Sequence, residues 1–194
     1  MARPTKIAAV FLVLCSAGSI VAQNTWNGLR FGMSQDQAKQ LLAKQGFELH
    51  QRADEEAYTL TPDFSLRIQG LPAACSFGPL LFFDSGKLWN ISLTLNIDKM
   101  RADTKLGSVE LLQLLAEKVF NELVVKYGSP TSQTGPCEQV STMSTSAIVE
   151  AKPFLRCKAK WRGDAQLITL GWSYYTGAGS LMFYVEYLAA SGGF

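Results

Sequence analysis

Ten residues with strict alternation of apolar and polar side chains constrain the fold more than any other segment of the chain. They run from Trp89 to Asp98: Trp89, Ile91, Leu93, Leu95 and Ile97 alternate with Asn90, Ser92, Thr94, Asn96 and Asp98. Successive side chains of a β-strand point to opposite faces, so this pattern predicts a strand with one buried face. Leu80–Phe83 predicts its partner strand, and Asp84-Ser85-Gly86-Lys87 predicts the hairpin turn between them.

A short helix is predicted ahead of these strands. Ser34 followed three residues later by Gln37 has the pattern of a capping box, and Gly46 has the position of a helix end. Strand-like segments follow at Ala57–Leu60 and Phe64–Gln69. The first half of the chain therefore has the order helix, then strands.

The second half repeats that order. Apolar residues recur at helical spacing from about Ser108, and Gly128 followed by a proline predicts the end of this second helix. Strands are predicted at about Phe154–Arg162, Gln166–Tyr174 and Leu181–Leu188, joined by glycine-containing turns.

The order of elements predicts the fold class. Helices interspersed with antiparallel hairpins give an α+β fold, with the helices packed on one face of the sheet. We expect two helix-plus-antiparallel-sheet units in tandem, residues 24–100 and 104–194, joined into one globular domain. The four tryptophans lie on or beside apolar faces and are expected in the core: Trp26, Trp89, Trp161 and Trp172.

Residues 1–22 have the pattern of a signal peptide. The apolar run Ile7–Leu14 follows a basic start, and it is too short to span a bilayer, which needs roughly 20 residues. Small residues come next, so cleavage is expected after Ala22, with Ser19 as the alternative. The mature protein is therefore expected to be periplasmic or secreted.

Lipid anchoring at Cys15 is not expected, because the residue before a lipidated cysteine is usually small and Leu14 is bulky. Two of the 18 basic residues and none of the 16 acidic residues lie in 1–22, so the rest of the chain is formally neutral. A neutral chain is a poor candidate for nucleic acid, whose affinity comes mainly from phosphate neutralisation. No later apolar run reaches spanning length, so no transmembrane segment is expected after cleavage.

Three cysteines follow the leader: Cys75, Cys137 and Cys157. In an oxidising compartment we expect a Cys137–Cys157 disulfide, since it would tie down the polar loop predicted at 129–146. Pairing of Cys75 with either of the others is the alternative. A zinc site made of cysteines and His50 would need a C-x-x-C spacing that the sequence lacks.

Strong catalytic motifs are absent from the sequence, and neither a metal nor a cofactor is expected. His50, the single histidine, lies in a polar stretch typical of a surface, and Asp54-Glu55-Glu56 lacks the ligand spacing of a calcium loop. Gly177-Ala178-Gly179 falls between two strand patterns, which favours a hairpin turn over a phosphate loop. Asn90-Ile91-Ser92 is a glycosylation sequon, which has weight only in a eukaryotic source.

One sheet face is a candidate binding surface. Lys158, Lys160 and Arg162 alternate with apolar residues, and we expect them to share a face with Tyr184 and to have Tyr175 nearby. Basic and tyrosine side chains on one face suit contact with a protein or an anionic ligand, since Tyr and Arg are enriched in binding hot spots. The alternative is an ordinary solvated face whose long side chains cover the strands.

Two resemblances bear on the fold. The segment Gly32-Met33-Ser34-Gln35-Asp36-Gln37-Ala38 resembles the helix start of small exported bacterial domains of the SmpA/OmlA type. Tyr127-Gly128-Ser129-Pro130 resembles the Gly-x-Pro helix exit of those domains, although here it follows the second helix, and Gly46-Phe47-Glu48 after the first helix has no proline. The tandem order is also similar to the β-lactamase inhibitor protein fold. These resemblances imply a sheet that binds another protein.

The sequence therefore predicts an exported, non-enzymatic module that binds another protein. An envelope assembly factor and an inhibitor of a secreted enzyme are alternative roles of the same kind. A carboxylate-based hydrolase is the catalytic alternative, because two acidic residues suffice for glycoside hydrolysis.

Overall fold

The structure is a computed structural model that describes residues 26–52, 57–66, 74–137, 139–150, 154–175 and 178–190. The predicted leader lies outside the described residues, as do Asp54-Glu55-Glu56, Gly177 and residues 67–69 of the predicted strand Phe64–Gln69. Within the described part, no helix is long and apolar enough to cross a membrane.

One antiparallel sheet dominates the fold. Its nine described strands are β1 Glu48–Gln51, β2 Ala57–Thr61, β3 Phe64–Leu66, β4 Cys75–Asp84, β5 Lys87–Leu95, β6 Ser132–Thr134, β7 Phe154–Arg162, β8 Gln166–Tyr175 and β9 Ser180–Ala189. Their order across the sheet is β1-β2-β4-β5-β9-β8-β7-β6, and β3 pairs with β4 beside this path. The α+β prediction is confirmed, with the sheet as the larger component.

The described helices are α1 Gln35–Ala43, α2 Ile97–Thr104, α3 Ser108–Tyr127 and α4 Thr145–Glu150, with a 3-10 helix at Val140–Thr142. The longest, α3, packs on the sheet through Phe120, whose ring centroid lies 5.8 Å from that of Trp161 on β7. The indole Nε1 of Trp161 donates a hydrogen bond of 2.8 Å to the carbonyl oxygen of Gly128, just past the end of α3. The helix end is thereby fastened to the core face of β7.

The first helix begins as the sequence predicts. Both halves of the capping box are present, since the Ser34 hydroxyl accepts from the Gln37 amide and the Gln37 side chain accepts from the Ser34 amide. Gly46 follows the helix with φ +86°, a conformation that a side chain would strain. Phe47 then leads the chain back to the core, where it and Phe64 surround Trp26.

The hairpin of β4 and β5 is confirmed, but its register differs from simple alternation. Phe83 pairs with Leu88 and Phe82 pairs with Asn90, so Trp89 is an extra residue in a β-bulge. Counted back from the buried Ile91, simple alternation would place Trp89 on the core face. The extra residue places it instead on the other face of the sheet, where it contacts Phe82 with 6.3 Å between ring centroids. The prediction of Trp89 as a core residue is wrong for this reason.

The predicted strand also ends earlier than Asp98. Asn96 stops it, because its side chain caps α2 by accepting from the amide of Lys99 at 3.0 Å. Ile97 therefore belongs to a helix. The period-two pattern continues across this boundary by coincidence, because Ile97 and Asp98, which extend it, are the first two residues of α2.

The disulfide Cys137–Cys157 is confirmed, and Cys75 is a buried free thiol. The polar segment 129–146 that the disulfide anchors is not the plain loop that the sequence predicts, because it contains β6, the 3-10 helix and the start of α4. Ile148 of α4 is fully buried in the core. Among the residues of α4 whose side chains are described, Ile148 alone is buried, and this signal is too weak to stand out in a Ser- and Thr-rich segment.

The two halves of the chain meet at the centre of the sheet. Counting outward from this centre, the strands of the first half are β5, β4, β2 and β1, and those of the second are β9, β8, β7 and β6. The last strand of each half thus pairs with the last strand of the other. The sheet is continuous across the boundary between 24–100 and 104–194.

Alkaline conditions should destabilise the fold, because buried acids must stay protonated in it. Burial raises the pKa of the Cys75 thiol from 9.0 to about 12 and that of Tyr127 from 10.0 to about 12, and it also raises the pKa of Tyr187. The unfolded chain loses these protons first, so stability is complete below pH 9 and falls as pH rises. The Cys75 thiol alone should contribute a slope of about 1.4 kcal/mol per pH unit above pH 9.

Urea denaturation at several pH values measures this dependence. We expect the free energy of unfolding to decline steadily between pH 9 and pH 11, and the Cys75→Ala variant to decline less over the same interval. A free energy of unfolding that stays constant over this interval would contradict the assignment of these groups as buried and protonated.

Candidate functional site

The face of the sheet away from the helices is the candidate site, and we call it the open face. The described helices pack on the other face, where the core contains Trp161, Trp172 and Tyr187. In β9, for example, Leu181, Phe183, Val185 and Tyr187 are buried, and the residues between them are half-buried or exposed. Within the described part of the chain, no helix lies on the open face.

The basic residues predicted for this surface lie on one strand. Lys158, Lys160 and Arg162 of β7 share the open face, because their neighbours Cys157, Ala159 and Trp161 are buried on the core face; we call these three the basic row. They are exposed, except for the half-buried Lys160. The alternation in the sequence thus brings three positive charges to one side of β7.

Both predicted tyrosines lie on the same face as the basic row. Tyr175 is at the end of β8 and has 46% of its surface exposed. Tyr184 of β9 lies directly across from Gly171 of β8. A Cβ atom at position 171 would overlap the Tyr184 ring, so the ring lies flat across the neighbouring strand only because residue 171 is glycine. Burial and the nearby Glu186 carboxylate raise the pKa of Tyr184 above its ordinary value.

A row of polar residues crosses the middle of the open face, and we call it the central polar row. Lys160, Thr169, Glu186 and Ser92 lie opposite one another on β7, β8, β9 and β5. Glu186 accepts a hydrogen bond of 2.8 Å from the Nδ2 group of Asn90. Among the described residues, Glu186 has no ion-pair partner. The row therefore places a carboxylate at the centre and an ammonium group at one end.

Sequence reasoning missed an apolar patch on this face. It consists of Leu80, Phe82, Trp89, Leu167 and Leu188, which are half-buried and none of which is among the buried core residues. Leu167 pairs with Leu188, Leu188 with Asn90, and Asn90 with Phe82, so the patch surrounds Asn90. Leu80 and Leu167 could have been found from alternation in their strands, but Trp89 could not, because only the bulge turns it to this face.

Other residues that the sequence singled out lie elsewhere. His50 is on the edge strand β1, where its ring nitrogen lies 2.7 Å from the Thr61 hydroxyl and 3.6 Å from the Glu48 carboxylate. Asn90 is only 6% exposed, so its sequon is inaccessible in the folded protein. In the described ranges, no three His, Cys, Asp or Glu side chains are grouped so that they could hold a metal ion.

The geometry defines an α+β protein with helices on one face of a single antiparallel sheet and an open face that combines basic, acidic and apolar groups. No protein-family model, no curated protein and no solved structure matches the chain. The site must therefore be interpreted from its own chemistry.

Replacing Gly171 with alanine should displace Tyr184 from the open face while the fold persists. The added Cβ meets the far end of a side chain, which can rotate away, so we expect a loss of stability of only about 1 kcal/mol. The pKa of Tyr184 should fall towards its ordinary value, because the displaced ring becomes exposed. Spectrophotometric titration at 295 nm of the wild type, the Tyr184→Phe variant and the Gly171→Ala variant measures this change.

Gly78→Ala provides the matched control, because a Cβ there would meet only the Thr94 carbonyl oxygen at 3.9 Å, which is an ordinary contact. The titration of Tyr184 should be unchanged in this variant. An unchanged titration of Tyr184 in Gly171→Ala as well would contradict the packing of the ring on Gly171.

Proposed function

We propose that the chain is an exported, non-enzymatic module that binds another protein on the open face of its sheet. The observation that carries the proposal is the apolar patch beside the basic row, on a face that no described helix covers. Binding surfaces combine an apolar centre with charged groups at the rim, and aromatic and arginine residues dominate their energetics. Trp89, Phe82 and Tyr184 would form the apolar contacts, and the basic row would steer an acidic surface.

Export is supported by the leader pattern and by the Cys137–Cys157 disulfide, since disulfides persist in oxidising compartments. A cytosolic protein of this composition would be expected to keep these thiols reduced. The disulfide also fixes β7 at Cys157, next to Lys158 of the basic row.

We also propose that the fold arose by duplication of a helix-plus-sheet unit. The symmetric order of the strands about the β5–β9 pair supports this, because each half begins with a helix and ends with a central strand. The tandem order of elements in the sequence resembles the β-lactamase inhibitor protein fold. On that resemblance alone, inhibition of a secreted enzyme is the second candidate function, which inhibition assays against a panel of exported hydrolases would test.

The proposal is tested by reversing the charge of the basic row. A partner is first isolated from an envelope or culture extract with the immobilised chain, and its affinity is then measured with purified components. The double variant Lys160→Glu with Arg162→Glu should bind at least about tenfold more weakly, because two attractive contacts become repulsive. The wild-type affinity should also weaken as salt concentration rises.

The matched control is Lys39→Glu with Lys44→Glu, which makes the same charge change at exposed positions of α1 and its C-terminal cap. Its affinity should stay within about twofold of the wild type, a change of less than about 0.5 kcal/mol. Equal affinities of the two double variants would remove the open face from consideration as the binding surface.

A further inference from the structure

We infer that the centre of the open face is a socket for an arginine side chain of the partner, and that a partner carboxylate binds Lys160 in the same contact. The inference rests on the proposed function and names the chemistry that the open face recognises. It is carried by the arrangement of Glu186, Asn90, Tyr184 and Lys160.

The socket presents hydrogen-bond acceptors that the protein itself leaves unused. The Oδ1 atom of Asn90 is buried and has no hydrogen-bond partner among the described residues, although its Nδ2 group donates to Glu186. A carboxylate has about four lone-pair sites, and this bond occupies one of those on Glu186. The half-buried Glu186 carboxylate is the acceptor that a ligand reaches directly. A buried acceptor without a partner is costly, so a ligand donor that reaches Asn90 when the half-buried side chains around it move apart would relieve that cost.

Arginine is the side chain that fits this acceptor set best. Its guanidinium group has five N–H donors in a planar fork that matches a carboxylate, and it is more weakly hydrated than an ammonium group. The Tyr184 ring covers Gly171, and Tyr184 lies two residues before Glu186 on the same face of β9, so an aromatic ring lies beside the carboxylate for the guanidinium group to contact. On the other side, Leu188 and Leu167 exclude water and strengthen the charge interaction.

The central polar row carries one negative and one positive side chain, Glu186 and Lys160, and therefore suits a partner that carries both a basic and an acidic residue. Glu186 and Lys160 lie two strands apart, which is about 10 Å between backbones. This separation leaves them outside ion-pair distance of each other, and neither has another ion-pair partner among the described residues. A partner that brings an arginine to Glu186 can therefore bring an acidic residue to Lys160 without breaking any contact.

The spacing specifies a short peptide pattern. A peptide in the polyproline II conformation advances about 3.1 Å per residue with three residues per turn, so side chains three positions apart share one side and lie about 9 Å apart. A peptide that lies across the strands would match the row if an acidic residue followed the arginine by three positions. Acetyl-Arg-Gly-Gly-Glu-amide is therefore the simplest probe of the socket.

The test is a titration of the isotopically labelled protein with this probe, followed by nitrogen–proton NMR spectra. We expect saturable shifts confined to the amides around Ser92, Thr169 and Glu186. Replacing arginine with glutamine in the probe should weaken binding at least about tenfold, and replacing glutamate with glutamine should weaken it several-fold. In the Lys160→Gln variant, replacing the glutamate of the probe with glutamine should not change its affinity, because the contact between that glutamate and Lys160 is already absent.

Glu186→Gln is the decisive variant. It keeps one oxygen that can accept from Asn90, but it removes the charge and replaces the other oxygen with an NH2 donor. The fold should therefore persist, and the arginine probe should bind it at least about tenfold more weakly. Asp164→Asn is the matched control, because it removes one carboxylate charge at an exposed position between β7 and β8. The probe should bind this control as it binds the wild type.

Chemical-shift changes spread over the whole protein surface, or equal affinity of the probe for the wild type and for Glu186→Gln, would contradict the proposed socket. That result would leave the proposed function intact if the isolated partner still depended on Lys160 and Arg162. Conversely, probe binding that depends on Glu186, with a partner insensitive to the basic row, would support an arginine-binding socket but contradict both the partner's contact with Lys160 and the proposed docking of a protein on this face.

Discussion

Replacing Trp161 with alanine is expected to lower the free energy of unfolding by about 3–5 kcal/mol, which is a large fraction of the stability of a domain of this size. The side chain is 2% exposed and packs on Phe120 of α3 at 5.8 Å between ring centroids. Its removal would leave a cavity between sheet and helix. It would also leave the Gly128 carbonyl oxygen at the helix end without its indole donor.

Urea denaturation followed by far-ultraviolet circular dichroism measures this loss. Trp161→Phe is the matched control: it keeps an aromatic ring against Phe120 but removes the Nε1 donor, so it should cost less than alanine. A loss below about 1 kcal/mol in Trp161→Ala would contradict the packing of α3 on β7, because a buried aromatic residue cannot be removed at so small a cost.

This change also bears on function, since Trp161 lies between two members of the basic row. Lys160 and Arg162 flank it in sequence and point to the opposite face. The core tryptophan thus fixes the strand that presents the charges. A destabilised β7 should weaken partner binding even though no residue of the open face has changed.

The double variant Cys137→Ala with Cys157→Ala should lose about 3 kcal/mol of stability, because the disulfide joins residues separated by 20 positions and restricts the unfolded chain. For a protein of this size, the melting temperature should fall by roughly 6–12 °C. The loss has a local component as well, since the disulfide holds the segment that leads to the buried Val140 and Ile148.

Differential scanning calorimetry with and without a reducing agent tests this prediction. Reduction should lower the melting temperature of the wild type towards that of the double variant and leave the double variant unchanged. A wild type that does not respond to complete reduction would show that the disulfide contributes no stability. Cys75, which is buried, should remain unmodified by iodoacetamide in the folded protein at about pH 8.

The three long strands of the second half, β7, β8 and β9, were predictable because each keeps one period from end to end, whereas the three-residue β6 was predicted as part of a loop. β7 was predicted with its observed bounds, and β8 and β9 within one residue at each end. The capping box of α1 and the Gly128 end of α3 were equally clear, because side chains close to the helix ends determine them. The sequence was enough to predict an element wherever residues close together in the chain determine its conformation without the help of tertiary contacts.

Elements that depend on tertiary contacts were missed. The edge strand β1 is polar, so only its pairing with β2 makes it a strand. The helix α2 has a single buried residue, Met100, and its start continues the alternation of β5. The bulge at Trp89 leaves no mark in the sequence, because it arises from the register between β4 and β5.

The candidate site was predictable in part for the same reasons. Alternation in β7 was enough to assign Lys158, Lys160 and Arg162 to one face. The central polar row was beyond prediction, because it needs the register of four strands. The apolar patch was missed because its members come from β4, β5, β8 and β9, and each is an ordinary residue within its own strand.

Hydroxyl-radical footprinting of the complex with the isolated partner tests the docking surface most directly. Trp89, Tyr184 and Met182 are oxidisable and lie on the open face, whereas Val125 is 80% exposed on α3. We predict that the partner lowers the oxidation rates of the first three and leaves that of Val125 unchanged. Protection of Val125, with Trp89, Tyr184 and Met182 oxidised as in the free protein, would contradict docking on the open face.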